Sequence, residues 1–319
     1  MIDPETKALR VIFLGTPDFA LPSLRVVAES TTLVAVVTQP DKPAGRGKKL
    51  TAPPVAEAAK RLGVPVHQPR TLKDPAIVST LAAHYPDLLA TVAYGRIIPP
   101  PVIALPRLGC INVHPSLLPL YRGASPIQRA IADGATTTGV TILYLTEDLD
   151  AGDIILQRGV SIDADETAGV LEERLAEEGA ALLREAIASI ARGTAPRVPQ
   201  DHARATYVGR LTKEDGQIDW NRSAADIVNV IRAMHPWPSA YTTWRGTLLK
   251  VWRARVGEGA GAPGEVLAAQ PEAVTVAAGR AAVDVLEVQP EGGRRMTVAE
   301  FLRGHGLRRG DRLGTPAVA

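Results

Sequence analysis

Cysteine is almost missing from this sequence. Cys110 is the only one among 319 residues, so no internal disulfide can form, which fits a reducing compartment. Net charge is almost missing too. Thirty-six Lys and Arg against 34 Asp and Glu leave +2, so the overall field does not mark a nucleic-acid binder, although a local basic patch can still serve as one. No stretch approaches the ~18 consecutive apolar residues that a membrane-spanning helix needs. The first ten residues carry Asp3, Glu5, Lys7 and Arg10 with no apolar run after a basic start, so no secretory signal is expected. These absences predict a soluble, cytoplasmic protein. No internal repeat and no low-complexity tract stands out. A dinucleotide-binding fingerprint is also lacking: Gly15 is not part of a Gly-x-Gly-x-x-Gly, and no acidic residue closes the second apolar run.

What is present is an apolar fraction of 45%, enough for a sizeable core, in a chain long enough for two domains. Residues 9–14, 33–38, 64–66, 88–93, 110–113 and 140–145 are short apolar, β-branched runs. Runs apolar throughout and separated by helical stretches predict a mostly parallel sheet covered on both faces. Thr16 followed by Pro17 reads as the cap and first turn of a helix. Residues 54–62 form a second helical stretch. In residues 167–192, Val170, Leu171, Leu175, Leu182, Ala186 and Ile190 recur at helical spacing, and Gly193 sits at the stop. Residues 193–200 contain Pro196 and Pro199 without any period and read as a linker. Beyond it, Ile227, Val230, Ile231 and Met234 form one helical stripe. Residues 248–256, 264–268, 273–278 and 281–288 then read as strands between Gly- and Pro-rich turns, a pattern that predicts a small β-barrel. The expected organisation is an α/β domain over residues 1–206, a linker over about 193–211, and a β domain over 207–319.

The informative stretch is Cys-Ile-Asn-Val-His-Pro-Ser-Leu-Leu-Pro, residues 110–119. Side chains alternate along a strand, so Asn112 and His114 share a face at its carboxyl end, where open α/β sheets bind ligands. An amide NH2 and an imidazole aimed at one point make a donor pair for a developing oxyanion. Taken alone, such a pair is more often a turn cap and a satisfied, partly buried histidine. A second piece, Asp148-Leu149-Asp150-Ala151-Gly152-Asp153, follows the run at 140–145. A carboxylate there can orient an imidazole if the two strands are neighbours, though a lone acidic turn is ordinary. Cys110 falls on the same strand face and is expected to be a buried structural thiol.

Asn112-x-His114-x-Ser116-Leu117-Leu118-Pro119 together with Leu149-Asp150-Ala151-Gly152 resembles the signature of the 10-formyltetrahydrofolate-dependent formyltransferases. The resemblance implies a Rossmann-like N-terminal domain and a smaller C-terminal β-barrel of the oligonucleotide-binding (OB) type. It also implies transfer of a formyl group from 10-formyltetrahydrofolate to an amine through a tetrahedral intermediate. Asn112, His114 and Asp150 are then the catalytic residues, with no metal. It places folate contacts at Tyr94, Arg96, Ile97 and Ile98, at Ser116, Leu117, Leu118 and Pro119, and at Leu149. Gln39-Pro-Asp-Lys-Pro-Ala-Gly-Arg-Gly-Lys-Lys-Leu50 resembles the insertion loop of the tRNA-directed branch, whose acceptor is initiator methionyl-tRNA. That match makes Lys42, Arg46, Lys48 and Lys49 tRNA contacts; by composition alone the run is a solvated, irregular loop, kept out of regular structure by its Pro and Gly residues. Residues 121–127, 218–220, 231–233, 236–238 and 250–252 resemble further family stretches, and Arg303, Arg308, Arg309 and Arg312 are candidates for a tRNA-facing surface. The family also implies a monomer. Pro115 and Asp148 depart from the tRNA-directed pattern and resemble the branch acting on glycinamide ribonucleotide, which lacks both the basic insertion and the C-terminal domain. A sugar-nucleotide formyltransferase is the alternative reading. A non-catalytic RNA-binding module would leave Asn112, His114 and Asp150 unexplained.

Overall fold

The computed structural model describes residues 4–44 and 49–314. Contacts divide them into two compact units. One holds the chain up to Pro126, Thr137–Ser161 and Glu172–Val208; the other holds Ile127–Thr136, Ile162–Leu171 and Gly209 onward. The second unit thus takes in two short segments that the sequence reading places in the first domain. Arg232 explains part of this, because its guanidinium donates to the Asp163 and Glu166 carbonyls.

The first unit begins with α1 (Pro4–Ala8) and β1 (Arg10–Gly15). Thr16 does not cap a helix. Its hydroxyl donates to the Tyr94 carbonyl at 3.0 Å, and the helix α2 (Leu21–Ser30) starts only after a 3-10 turn over Asp18–Ala20. Next come β2 (Thr32–Val37), β3 (Lys42–Ala44), β4 (Lys49–Thr51), α3 (Pro54–Arg61), β5 (Val66–His67), α4 (Pro75–Ala82), β6 (Leu88–Val92), α5 (Pro100–Ile103), β7 (Cys110–His114), β8 (Arg122–Gly123), α6 (Pro126–Ala132), β9 (Thr137–Tyr144), β10 (Ile154–Ser161), α7 (Ala168–Ala191) and β11 (Tyr207–Val208); of these, α6 from Ile127 on and Ala168–Leu171 of α7 fall in the second unit. The seven-stranded sheet has the order β10-β9-β7-β6-β1-β2-β5. Its centre is parallel, and β6 is buried from end to end, as a strand covered on both faces must be.

Three elements differ from the sequence reading. The apolar run at 140–145 lies in β9, which pairs antiparallel with β7; β10, whose mixed polar pattern gives little sequence signal, returns antiparallel beside it. A short connection between neighbouring strands permits only that direction. The stretch around Lys42 is not wholly irregular either. β3 and β4 pair antiparallel as a hairpin, Lys42 opposite Thr51. Arg46 and Lys48 lie outside the described residues. The presumed linker is stapled to the sheet, since Val198 and Ile154 exchange backbone hydrogen bonds of 3.0 and 2.8 Å.

The second unit is built around α8 (Ala224–Ala233), β12 (Ala240–Trp244), β13 (Thr247–Gly257), β14 (Val266–Ala269), β15 (Val274–Ala277), β16 (Ala282–Pro290), β17 (Met296–Thr297) and α9 (Val298–Gly304). Ile227, Ile231 and Met234 of the α8 stripe are buried. The antiparallel order is β12-β13-β16-β15-β14, with β17 also on β16. Residues 310–314 close this sheet. Gly310 N–H donates to the Val266 carbonyl and Leu313 N–H to Gly264, while Gly314 N–H donates to Thr243 on the opposite edge. Both free edges are thereby paired, which removes exposed ladder groups.

Candidate active site

β7 is held between β6 and β9, and its alternation decides what faces where. Val113 faces α7, where a side chain on Gly179 would meet its Cγ1. Cys110, Asn112 and His114 share the other face. Cys110 packs in the core with Leu81, Val102 and Tyr94. Burial pushes its thiol up to about 12, which removes it as a nucleophile at neutral pH. Asn112 is half-buried, and no described residue hydrogen-bonds its side chain.

His114 is 3% exposed. Its Nε2 lies 3.0 Å from the Tyr121 carbonyl and its Nδ1 lies 3.6 Å from Asp150 Oδ2. A carbonyl only accepts, so Nε2 donates. A carboxylate faces the other nitrogen, so acceptor oxygens stand at both ends of the ring. The 3.6 Å gap exceeds hydrogen-bond length and is an electrostatic contact. The same Asp150 oxygen accepts from the Gly123 N–H at 2.9 Å.

The route by which Asp150 arrives is not the one the sequence suggests. Because β9 is antiparallel, it ends beside the start of β7, where Leu145 N–H donates to the Cys110 carbonyl. The loop after it therefore runs back along β7 to bring Asp150 to His114. Asp150 adopts φ +48, a left-handed conformation that Asp tolerates better than most residues with a side chain. Gly152 two positions on is required by space: a Cβ there would lie 1.8 Å from the Tyr144 carbonyl oxygen. Ala93 and Tyr121, at the ends of the neighbouring segments, also have positive φ, +47 and +59. Backbone strain of this kind concentrates at functional sites.

The remaining residues named from the sequence divide by role. Ile97 and Leu149 are 83% and 59% exposed and flank the strand ends. Tyr94 is different: its ring is in the core, burial raises its phenol above the usual range, and its carbonyl already accepts from Thr16 and Gln39. Arg96 donates to the Pro69 and Arg70 carbonyls, and Ile98 packs on the core. Ser116 is fully buried, its hydroxyl donating to the Leu120 carbonyl at 2.6 Å. Leu118 is buried, and Leu117 and Pro119 are half-buried. Thr141 holds this turn, donating to the Ser116 carbonyl and accepting from Leu118 N–H and Gln157. Pro115 is half-buried beside His114 and Asp148 is exposed. Lys42 is exposed, its ammonium donating to Gln39 Oε1 at 2.6 Å.

Sequence reasoning missed Arg122 and Gln200. Arg122 is 2% exposed and donates to Gln200 Oε1 through Nε and Nη2 at 3.2 and 2.7 Å. Gln200 in turn donates to the Asp150 and Gly152 carbonyls, both at 2.8 Å. Arg122 sits in a stretch already noted, but a single Gln among linker prolines carries no sequence signal.

Comparison with known proteins defines the class of this fold and site. A family model described as formyl transferase matches residues 9–187, and one described as formyl transferase, C-terminal domain, matches residues 210–306; the chain belongs to the formyltransferase family. Among curated relatives, the methionyl-tRNA formyltransferase of Pelotomaculum thermopropionicum is 48% identical over 96% of this chain and 99% of its own. That of Desulfotalea psychrophila is 47% identical over 95% of each. Two solved structures share the fold. HypX from Aquifex aeolicus, in complex with tetrahydrofolic acid, has a TM-score of 0.62 at 22% identity, covering 93% of this chain and 47% of that one. An N-formyltransferase from Helicobacter canadensis, in complex with folinic acid and dTDP-3-aminofucose, has a TM-score of 0.64 at 18% identity, covering 87% and 98%.

Proposed function

We propose that this protein transfers the formyl group of 10-formyltetrahydrofolate to the α-amino group of initiator methionyl-tRNA, in the cytoplasm and as a monomer, for translation initiation. The observation that carries the reading is the buried His114 with acceptors at both ring nitrogens, one of them Asp150, beside an Asn112 amide that no described residue engages. Near-full-length identity of 48% to a methionyl-tRNA formyltransferase sets the acceptor, against 18% for the enzyme solved with an aminosugar nucleotide.

The folate supplies the formyl carbon; the protein supplies position and charge. Asn112 donates to the formyl oxygen as negative charge develops on it. His114 turns its Nε2 proton from the Tyr121 carbonyl to that oxygen while Asp150 faces Nδ1, and Asp150 assists transfer of the proton from the incoming amine to the folate N10, which leaves as the bond between the formyl carbon and N10 breaks. The fit for the donor rests on exposed apolar groups beside the strand ends, Ile97 and Leu149, and on the rigid turn at Leu117, Leu118 and Pro119. Tyr94 and Ser116 support that surface from beneath, because their side chains are buried; Arg96 and Ile98 hold the loop that carries Ile97. Lys42, with Arg46, Lys48 and Lys49, contacts the tRNA backbone at the acceptor end.

The test offers 10-formyltetrahydrofolate with methionyl initiator tRNA and a dTDP-aminosugar in parallel. Formylation of the tRNA alone is expected. Transfer to the sugar alone, or release of formate with neither accepted, overturns the reading.

A further inference from the structure

The interior of the first unit holds one feature that the chemistry above does not use. Arg122 is a cation at 2% exposure with no carboxylate within 4.0 Å among the described residues. Its partners are Gln200 Oε1, the Tyr207 hydroxyl at 3.1 Å and His202 Nδ1 at 3.1 Å. A buried guanidinium with uncharged partners is a costly way to fill space, and apolar residues of similar volume often serve stability as well or better. It therefore asks for a different reason.

The reason lies in which way Gln200 faces. A guanidinium has donors only, so it forces the Gln200 oxygen toward itself. The Gln200 nitrogen must then face the opposite way, where its two N–H groups meet the Asp150 and Gly152 carbonyls. Those carbonyls bracket the left-handed turn that carries Asp150. The carboxylate end of Asp150 is held by the N–H of Gly123, the residue after Arg122, and β8 is fixed by parallel pairing with β11. Backbone and side chain of Asp150 are thus both tied to the Arg122 strand.

We propose that Gln200 is a positioning residue for Asp150, with Arg122 setting its orientation, so that residues 194–208 complete the active site instead of merely leaving it. The inference rests on the role given to Asp150 above.

The experiment measures single-turnover formyl transfer to initiator methionyl-tRNA, together with the KM of each substrate and the melting temperature. The variants are Gln200→Glu, Gln200→Met, Asp150→Asn and the double variant Gln200→Glu/Asp150→Asn. Gln200→Glu keeps the volume and the acceptor toward Arg122 but turns an oxygen on the two carbonyls. A loss of about 10²-fold in rate, the scale of a small misplacement, is expected with both KM values unchanged. Gln200→Met, which removes the donors without adding charge, is expected to lose rate in the same direction. In the Asp150→Asn background Gln200→Glu is expected to cost nothing further, because its effect runs through Asp150. Losses that multiply, or a lowered melting temperature with full rate, overturn the positioning role. So does full rate in both Gln200 variants while Asp150→Asn is impaired. Full rate in Asp150→Asn itself overturns the role of Asp150, and this proposal with it.

Discussion

His114 Nδ1 stands 3.6 Å from Asp150 Oδ2, although His114 ends β7 and Asp150 lies in the loop after β9, which runs in the opposite direction. The pair exists because the loop after β9 doubles back along β7 instead of continuing past the end of the sheet. Asp150 is therefore held by tertiary contacts, from Gly123 at its carboxylate and Gln200 at its backbone. The chemistry assigned to it depends on their staying in place.

Asn112→Ala should lower kcat by about 10²–10³, the loss of one oxyanion donor. The folate KM should stay in place, since the interaction strengthens only as charge develops. A variant that turns over like the wild type would remove Asn112 from the mechanism.

Gly152→Ala should destabilise the first unit and slow the reaction together. The new methyl would sit 1.8 Å from the Tyr144 carbonyl oxygen, so the turn must shift, at a cost of about 1–3 kcal/mol for overpacking. Thermal melting and kcat measured side by side check this. An unchanged melting temperature would mean that the turn yields freely.

Lys42→Ala should weaken tRNA binding and leave the folate KM alone. Each lost phosphate contact lowers the slope of log K against log salt by about 0.7–0.9, so a titration at several salt concentrations separates a phosphate contact from a change of shape. Among the described residues the Lys42 ammonium hydrogen-bonds Gln39 alone, and its loss should not move the melting temperature.

Acid should destabilise the first unit partly through His67. Burial lowers its proton affinity below the ordinary value of 6.5, and the neighbouring His84 lowers it further; their ring nitrogens are 2.9 Å apart. The unfolded chain then binds the proton more readily than the folded one, so stability rises with pH. The contribution is present above 6.5 and is lost as pH falls through that value toward the lower folded one. Melting temperatures across this range should fall less steeply for His67→Gln than for wild type. The slope should not vanish, because burial also lowers His235 in the second unit. Parallel curves for variant and wild type would show that His67 does not contribute.

The sequence by itself determined the parallel centre of the sheet, because β1, β2, β6 and β7 are built on largely apolar runs, broken in β7 by Asn112 and His114, as strands covered on both faces are. It determined α7 and α8 through their stripes, and it placed Asn112 and His114 on one face by simple alternation. The Leu149-Asp150-Ala151-Gly152 turn was legible only through its resemblance to the family signature; that a side chain on Gly152 would meet the Tyr144 carbonyl came from the structure. Tertiary structure alone decided the direction of β9, because an apolar run reads the same whichever way it is paired. It decided the pairing of residues 310–314 with both edges of the antiparallel sheet, whose ladder bonds are backbone to backbone and leave no periodic side-chain pattern. It also decided the place of Gln200. An amide in a proline-rich segment has no period and no motif, and its role comes from one fixed neighbour, a guanidinium that can only donate and so turns the Gln200 nitrogen toward Asp150.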